Sequence, residues 1–465
     1  MTESHYDVVI IGGGPAGLTA AWELRDRHIL LLEKSFRLGG RLYSIPYGDL
    51  WMNLGGHLFP SAGSTMRNLM LSVGLDVIAI PGNKFALWHD GKVVAPASVS
   101  ALPLTLSLSA KERVALARVG IKIRAAVKRW QEVAKPLPGE SSEARRARAG
   151  RFMSDISFRE FLGPLPGRVD ALFRTASRRG AAEAEEFSAG MGMMMFGMVW
   201  AGKDDAMGFN MLGGSGRLGD TMTALLGKRA LLNAAVSRVV SERDRTRVTF
   251  ETNGREQSVS ASQVIVAIPG MLAPGIVEGL PGDVAATLSQ VRYGPFPSMG
   301  VITNETRPMP WDGIYAITVP GATITMMFNH SNPLRVKGRP KTGSSFMVYA
   351  GGKPAEAMIA LGEDEIRDRY LADIFRVYPE IEPLIVATKV QKWGIGNTYR
   401  VPGFSFDAVT RYCERDDVDI HLAGDYFAQA GNMETAAGTG FEAARRARMR
   451  LSALGGRSET EKVAV

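Results

Sequence analysis

The sequence is poor in the residues that most often hold metals or cross-link a chain. It has one cysteine, Cys413, and six histidines among 465 residues. A single thiol excludes an internal disulfide framework and a multi-thiolate metal site, and it is typical of a reducing compartment. The histidines, at positions 5, 28, 57, 89, 330 and 421, lack the spacing of metal ligands. We therefore expect no metal site, and Cys413 as a small buried side chain.

Long apolar runs are also missing from the sequence. No stretch reaches the ~18 apolar residues that a membrane-spanning helix requires. The first apolar run, residues 8–11, has neither the basic leader nor the cleavage site of a secretory signal. These features predict a cytoplasmic protein without a transmembrane segment.

The charge is moderately basic, with 55 Lys and Arg against 47 Asp and Glu and a net charge of +8. The densest basic clusters lie in Ala-rich sequence, which favours solvated helix faces over a nucleic-acid site. These clusters are Arg145, Arg146, Arg148 and Arg151, and Arg445, Arg446, Arg448 and Arg450. The composition thus predicts no nucleic-acid partner, and the excess positive charge is compatible with an anionic small-molecule substrate.

The beginning of the chain has the pattern of a dinucleotide-binding unit. A buried-type strand over residues 7–11 is followed by a Gly-rich turn, a helix over 16–25 and a second strand over 28–32. The turn has glycines at Gly12, Gly14 and Gly17, with Pro15 and Ala16 opening the helix. The glycines allow a tight turn, close approach of a pyrophosphate and close packing of helix on strand, and the helix N-terminus attracts phosphate. The alternative is a purely structural turn.

An acidic residue at the end of the second strand strengthens the prediction of a dinucleotide-binding site. Glu33 lies there, followed by Lys34, at the place where a carboxylate binds ribose hydroxyls. A carboxylate in this position repels a 2′-phosphate, which argues against NADP.

Three ordered blocks of sequence resemble the flavin amine oxidase and protoporphyrinogen oxidase superfamily. The first runs over residues 32–41 and 53–57, the second over 213–218, 233–239 and 266–269, and the third over 422–425 and 432–440. The resemblance implies FAD, bound noncovalently because Cys413 lies outside the Trp393 segment. It also implies a Rossmann-like α/β FAD-binding domain, discontinuous in sequence, with an inserted mixed α+β substrate-binding domain.

The resemblance also assigns residues to the cofactor. Gly40 and Arg41 would line the phosphate and flavin side, and Gly55 and Gly56 would let the backbone pass close to the ring. Val236 would hold the adenine end through its backbone, and Asp425 the ribityl or pyrophosphate groups. The remaining positions matched to the cofactor site are Leu54, His57, Trp393, Gly424, Asn432, Met433 and Thr435.

By the same resemblance the FAD-binding domain would comprise residues 1–77, 212–291 and 386–455, and the substrate domain residues 78–211 and 292–385. We expect an exposed loop around residues 135–150 and a disordered tail over 456–465. The Met-rich stretch over residues 191–200 is interpreted as a core helix, or alternatively as an adaptable wall for an apolar substrate.

The departures from the amine oxidases bear on the reaction. Many members have a lysine that holds a water against flavin N5, and the matching position falls near Ser298, with no lysine between Arg292 and Thr306. One aromatic position facing the flavin is Asn432 here. The other falls in the segment from Trp393 to Tyr399. These departures argue against oxidation of a C–N bond.

They favour C–C desaturation next to a carbonyl of a cyclic ketone or keto acid, with O₂ or another acceptor reoxidising the flavin. Desaturation requires a base for the α-proton while hydride leaves the β-carbon. The side chains considered for the base or for polarising the carbonyl are Tyr399, His57, His330, Tyr293 and Tyr315, with Asn432 as a hydrogen-bonding partner. A structural role is the alternative for each.

Three other functions stay open. The first is amine oxidation with release of H₂O₂. The second is an NAD-dependent dehydrogenase, which would not explain the blocks around Arg41 and Asp425. The third is a non-catalytic binding protein on the same fold, which loss of the glycines or of Glu33 would favour; both are present. Fold analogy alone does not decide among them.

Overall fold

The computed structural model describes residues 4–81, 85–200, 208–336, 338 and 342–463. In chain order the strands are β1 (His5–Ile11), β2 (Ile29–Leu32), β3 (Ser44–Tyr47), β4 (Leu50–Asn53), β5 (Val77–Ala79), β6 (Phe85–His89), β7 (Lys92–Val94), β8 (Phe209–Met211), β9 (Ala230–Leu231), β10 (Ala235–Ser241), β11 (Thr246–Thr252), β12 (Arg255–Val266), β13 (Val277–Glu278), β14 (Arg292–Gly294), β15 (Ser298–Thr303), β16 (Ala316–Thr318), β17 (Met326–Asn329), β18 (Ser345–Tyr349), β19 (Ile385–Gln391), β20 (Asn397–Tyr399) and β21 (Ile420–Leu422).

The α-helices are α1 (Pro15–Glu23), α2 (Thr65–Ser72), α3 (Leu102–Thr105), α4 (Ala110–Ala134), α5 (Ser142–Gly150), α6 (Phe158–Leu162), α7 (Gly167–Ser177), α8 (Ala189–Trp200), α9 (Arg217–Leu226), α10 (Gly282–Ser289), α11 (Asn332–Val336), α12 (Gly352–Ile359), α13 (Glu363–Val377), α14 (Asp407–Cys413) and α15 (Met433–Val463). Short 3₁₀ turns occur at Val99–Ala101, Arg178–Gly180, Gly227–Arg229, Gly270–Gly275, Pro379–Leu384 and Asp425–Phe427.

One sheet is built on the strands at the start of the chain. Its order is β13-β10-β11-β12-β1-β2-β9, and β21 also pairs with β12. The pairs around β1 are parallel, and β10 and β11 add an antiparallel extension. The side chains of Val8, Val9 and Ile10 are fully buried because helices cover both faces. This is the predicted Rossmann-like arrangement.

Close helix packing explains a glycine far along the chain. A Cβ at Gly440 in α15 would lie 2.1 Å from the carbonyl oxygen of Ala16 in α1. Glycine here lets α15 lie directly on α1, and it places the N-terminus of α15 beside the β1–α1 turn.

A second, mainly antiparallel sheet forms the inserted part, in the order β19-β15-β18-β17-β16-β6-β7. The chain crosses between the two parts at β5 and β8, which pair with each other, and at β14 and β20, which do the same. Residues 386–391 were expected in the FAD-binding part, but they belong to β19, which pairs with β15 of the second sheet. The domain boundaries remain a proposal, with the third FAD-binding segment beginning after β19.

Residues 142–150 form α5, where the sequence predicted an exposed loop. Ser141 accepts a hydrogen bond from the Ala144 N–H as the N-cap, and the helix is rich in Ala and Arg, which are strong helix formers. The proline and glycine that suggested a loop lie before the cap.

The basic clusters in α5 and α15 are not simple solvated faces. Arg146 pairs with Glu442, and Arg446 pairs with Glu143, so the two helices exchange ion pairs. All four side chains are largely buried. The arginines therefore contribute to tertiary packing, which sequence density alone did not reveal.

The final helix continues to Val463 in the structure, through the residues 456–463 that were expected to form a disordered tail. No proline interrupts this stretch, and the glycines at 455 and 456 lower helix propensity without stopping the helix. None of the described helices has the length and apolarity that crossing a membrane requires.

The Met-rich helix α8 lies in a hydrophobic core. Met191, Met193 and Met195 are buried among phenylalanines such as Phe158 and Phe187. This confirms the core interpretation for these three residues. The side chains of Met198 and Trp200 lie outside the described residues.

Candidate active site

The β1–α1 turn forms an open cradle at the N-terminus of α1. Gly12 adopts a φ of 101°, which disfavours other residues, and a Cβ at Gly17 would lie 1.9 Å from the Gly12 carbonyl oxygen. A Cβ at Gly14 would meet no atom within 4 Å, and no side chain caps the helix. The first-turn N–H groups therefore face open space, as an anion site requires.

Glu33 lies beside this turn and is 8% exposed. One carboxylate oxygen accepts from the Gly13 N–H at 2.6 Å. The other accepts from the N–H and the hydroxyl of Ser35 at 2.9 and 2.8 Å. Ionised carboxylate oxygens keep further acceptor capacity, so Glu33 can still receive ribose hydroxyls. Lys34 is exposed.

The loop carrying Gly40 is held by Arg37. The Arg37 guanidinium donates to the carbonyls of Leu38, Gly40 and Leu42 and lies 4.1 Å from the ring centroid of Tyr43. Sequence reasoning did not assign Arg37 a role, and its position within the first matched block was the signal that it matters.

Arg41 and Asp425 form an ion pair, with Nη2 and Oδ1 2.9 Å apart. Arg41 also donates to the Gly396 carbonyl at 2.7 Å, and the Tyr293 hydroxyl donates to Asp425 at 3.2 Å. Burial, with the Asp425 charge, raises the pKa of Tyr293 well above its ordinary value, so its hydroxyl stays protonated. Tyr293 thus contacts the predicted cofactor residues, but it does not line the cavity described next.

A cavity of about 330 Å³ opens beside these residues. Its lining combines residues of both parts of the chain: Pro15, Arg41, Leu42, Gly55, Gly56, His57, Leu58, Ile80, Phe85, Arg179, Phe296, Tyr315, Met347, Tyr349, Trp393, Gly396, Asn397, Asp425, Gly431, Asn432, Met433 and Ala436. Cavities of roughly this size bind small organic molecules.

The carbonyl of Leu54 fixes the backbone that enters the cavity. It accepts from Ser298 Oγ at 2.7 Å and from Trp393 Nε1 at 2.6 Å. A Cβ at Gly55 would lie 2.0 Å from the Arg41 carbonyl oxygen, and one at Gly56 would lie 3.5 Å from the Met433 side chain. The position matched to the amine oxidase lysine therefore has a buried hydroxyl, and no described residue lining the cavity is a lysine.

Asn432 lies at the cavity wall and caps α15. Its Oδ1 accepts from the Thr435 N–H at 2.8 Å, and its Nδ2 donates to the Ala430 carbonyl at 3.1 Å. The second amide of this wall is Asn397, which sequence reasoning missed. The structure places Tyr399 outside the cavity lining, packed against the α-helical core.

Two further residues predicted to bind the cofactor, Val236 and Gly424, lie outside the cavity lining. The pairing of β10 with β11 shifts register between Val236 and Arg238, which interrupts the ladder where backbone contacts to adenine were expected. The Gly424 N–H donates to Thr439 Oγ1 at 3.0 Å, and this bond ties β21 to α15.

A buried polar cluster borders the cavity at His57 and Tyr315. Asn210, which sequence reasoning missed, donates through Nδ2 to the His57 carbonyl at 2.9 Å and to the Tyr315 hydroxyl at 2.8 Å. The rings of His57 and Tyr315 both contact Phe328. Asn210 therefore holds both cavity residues through one amide group.

His57 is neutral in this setting. Burial lowers its pKa to about 4, and its Nδ1–H donates to the Gly55 carbonyl at 3.2 Å. That bond leaves Nε2 as the acceptor, and Nε2 is buried with no partner among the described residues. His330 lies behind it, 4.8 Å between ring centroids, and burial with the neighbouring His57 lowers its pKa as well. Burial raises the pKa of Tyr315 far above its ordinary value.

The geometry agrees with a comparison of the whole sequence with protein-family models. The model described as "Flavin containing amine oxidoreductase" matches residues 15–448. The chain belongs to this family. It is an FAD-dependent oxidoreductase.

Relatives of this flavoprotein have diverse names. The chain is 23% identical to an L-amino-acid oxidase of Siganus canaliculatus, over 92% of the chain and 82% of that protein. It is 22% identical to protoporphyrinogen oxidase 1 of Arabidopsis thaliana, over 63% and 58%. A 43% identity to oxidoreductase PigB of Serratia spans only 16% of the chain and 11% of that protein.

Solved structures of amine oxidases share the fold of the flavoprotein. Cyclohexylamine oxidase from Brevibacterium oxydans superimposes with a TM-score of 0.74 at 19% identity, covering 96% of this chain and 99% of that one. Putrescine oxidase bound to putrescine gives 0.73 at 18%, covering 95% and 98%. These matches confirm the predicted α/β architecture.

The described residues of the flavoprotein fit FAD. The uncapped α1 N-terminus and Arg41 offer positive charge to phosphates, Glu33 offers acceptors to a ribose, and Gly55 and Gly56 offer bare backbone to a flat ring. Cys413 is buried and does not line the cavity, which agrees with noncovalent binding. Burial raises the pKa of its thiol to about 12.

Proposed function

We propose that this flavoprotein desaturates a carbon–carbon bond next to a carbonyl in a small organic substrate. The observation that carries the proposal is the pair His57 and Tyr315 at the cavity wall, which Asn210 holds together. One of these groups is a neutral base, and the other is a protonated hydroxyl.

These two groups match the needs of the reaction. We assign the α-proton to Nε2 of His57, because the Nδ1–H is committed to the Gly55 carbonyl; Nε2 is buried in the structure, so this step requires the wall around His57 to open toward the substrate. The Tyr315 hydroxyl accepts from Asn210 and donates its own hydrogen to the substrate carbonyl as negative charge develops on that oxygen. FAD, when bound, supplies the chemistry that removes the β-hydrogen as hydride.

Among the residues that the structure describes, the cavity wall offers a protonated amine no free carboxylate. The described carboxylate in its lining, Asp425, is already paired with Arg41, and Arg179 adds a positive charge. The amides of Asn397 and Asn432 occupy the wall near Asp425, where the resemblance led us to look for aromatic rings. These features support a neutral or anionic substrate.

Amine oxidation remains the second candidate. The match to an L-amino-acid oxidase over 92% of the chain and the likeness to two amine oxidase structures favour it. In that case the substrate would lose hydrogen across a C–N bond to give an imine.

The test mixes the FAD-loaded protein, without oxygen, with a panel of cyclic ketones, keto acids, amino acids and primary amines. Bleaching of the visible flavin band by ketones or keto acids is expected, and bleaching by amines or amino acids alone would refute the proposal. Product analysis identifies the enone, and readmitting air shows whether O₂ reoxidises the flavin.

The variant His57→Gln tests whether His57 acts as the base or only contributes to the folded structure. Loss of a general base lowers the rate of flavin reduction by about 10²–10⁴-fold. The matched control is His421→Gln, since His421 is also a buried histidine of lowered pKa but does not line the cavity. Equal effects of the two substitutions would remove His57 from the mechanism.

A further inference from the structure

The wall of the cavity opposite the cofactor residues is mostly apolar, with one exception. Phe85, Phe296, Met347 and Tyr349 contribute rings and a thioether from β6, β18 and the segment before β15. Arg179 lies among them, in the 3₁₀ turn Arg178–Gly180. Arg179 is half-buried there, and a charge placed against apolar side chains is costly unless a partner compensates it.

The two arginines of this turn, Arg178 and Arg179, have different surroundings. Arg178 Nε donates to Glu183 Oε1 at 2.8 Å, and Glu183 also accepts from the Lys353 N–H at 3.0 Å. A Cβ at Gly351 would lie 2.0 Å from the Arg178 carbonyl oxygen, so the turn is packed tightly against α12. Arg178 and Glu183 thus anchor the turn, and Arg179 takes no part in that pairing.

Arg179 makes no hydrogen bond or ion pair with any residue that the structure describes. Its guanidinium carbon lies 6.0 Å from the centroid of the Phe85 ring. Its charge acts on Tyr349, where it offsets part of the burial that raises the pKa of that hydroxyl to about 12. The Tyr349 hydroxyl likewise has no hydrogen-bond partner among the described residues. Within the described part of the chain, the cavity therefore presents a cation and a hydroxyl that no hydrogen bond or ion pair occupies.

We propose that Arg179 binds a carboxylate of the substrate, with the Tyr349 hydroxyl as a second donor. The substrate would then be a small monoanion whose apolar body contacts Phe85, Phe296 and Met347. This inference rests on the proposed function for its meaning, since it names the substrate class of the same site. Planar guanidinium matches a carboxylate with two parallel N–H···O bonds, and an apolar wall strengthens that pairing.

The test measures binding to the oxidised, FAD-loaded protein, so it does not depend on turnover. Sodium benzoate is titrated at constant ionic strength while the visible flavin spectrum and isothermal calorimetry report binding, and benzamide is the neutral probe. Benzoate is expected to bind at least tenfold more tightly than benzamide. A hydrogen-bonded charge pair implies that Arg179→Gln weakens benzoate binding about 10- to 100-fold and leaves benzamide unchanged.

Three variants make the result specific. Arg179→Lys keeps the charge but not the paired donors, and an intermediate affinity is expected. Tyr349→Phe is expected to weaken benzoate binding by a smaller factor. Arg307→Gln removes the same charge from an exposed residue outside the cavity and should change nothing. Equal flavin content in all variants shows that the fold is kept.

Equal affinity of benzoate and benzamide would overturn the inference, and so would undiminished benzoate binding in Arg179→Gln. No benzoate binding to the wild type would overturn it too. Bleaching by amines or amino acids alone would overturn the proposed reaction and leave the carboxylate site standing, so the two failures are distinguishable.

Discussion

Replacing Asn210 by leucine tests whether the polar cluster is built for chemistry or only for packing. Asn210 is 1% exposed, and leucine has similar volume without polar atoms. The change removes the bonds to the His57 carbonyl and the Tyr315 hydroxyl, each worth about 1 kcal/mol net. It also removes Oδ1, which is buried without a partner and costs about 1 kcal/mol or more in the wild type.

The lost bonds outweigh the relief of Oδ1, because the His57 carbonyl and the Tyr315 hydroxyl are left buried without this donor, so the free energy of unfolding should fall by about 1–3 kcal/mol. The loss in flavin reduction should be larger, because the Tyr315 hydroxyl then has no donor that directs its own hydrogen toward the substrate carbonyl. Removing one donor to a developing oxyanion costs about 10²–10³-fold in rate.

The assay is a double-mutant cycle of Asn210→Leu and Tyr315→Phe. Unfolding is followed by denaturant titration of the FAD-loaded protein, and flavin reduction by stopped-flow absorbance. We expect the two effects on the rate to be strongly non-additive, because both variants disable the same hydroxyl. Additive rates, or a large loss of stability with an unchanged rate, would refute the positioning role of Asn210.

The remaining predictions concern the cofactor, the turn and the pH dependence. Glu33→Ala should yield largely apo protein, measured as flavin absorbance per protein, and full occupancy would show that the ribose assignment is wrong. Gly17→Ala should prevent folding, since the added Cβ would lie 1.9 Å from the Gly12 carbonyl oxygen; soluble, FAD-loaded variant would contradict this. His57 and His421 have pKa values of about 4 and 3 in the folded protein, against an ordinary value of 6.5. As the pH falls below 6.5, the unfolded chain therefore binds protons that the folded chain does not bind. Stability should therefore decline from pH 6.5 toward 4, by about 1.4 kcal/mol per pH unit for each such histidine, and His421→Gln should lessen the slope seen in thermal melts.

The nucleotide-binding part of the site could be predicted from the sequence because its residues are close together in the chain. The strand, the glycines at 12, 14 and 17, the helix and Glu33 lie within about one βαβ half, and each element is specified by its own residues. The structure places them as predicted. Arg41 and Asp425 meet across 384 positions of sequence, and only the family resemblance had paired their blocks.

The substrate-binding part of the site was harder to predict from the sequence because it is assembled from distant segments of the chain. Asn210, Arg179 and Asn397 each come from a different part of the chain and carry no motif. Tyr399 was considered as a base on proximity in sequence, but it packs against the α-helical core at the end of β20, whereas Asn397 at the start of that strand lines the cavity.

Burial decided which of the chemically similar side chains matter. The sequence alone predicted a Rossmann-like dinucleotide-binding unit, since glycine spacing and strand hydrophobicity are local properties, and the family resemblance implied FAD. It could not rank His57 against His330, or Arg179 against Arg178. Tertiary packing did so: it lines the cavity with His57 while enclosing His330 behind it, and it occupies Arg178 with Glu183 while leaving Arg179 without a described partner. The pKa of a histidine and the reach of a guanidinium depend on neighbours that only the folded chain brings together.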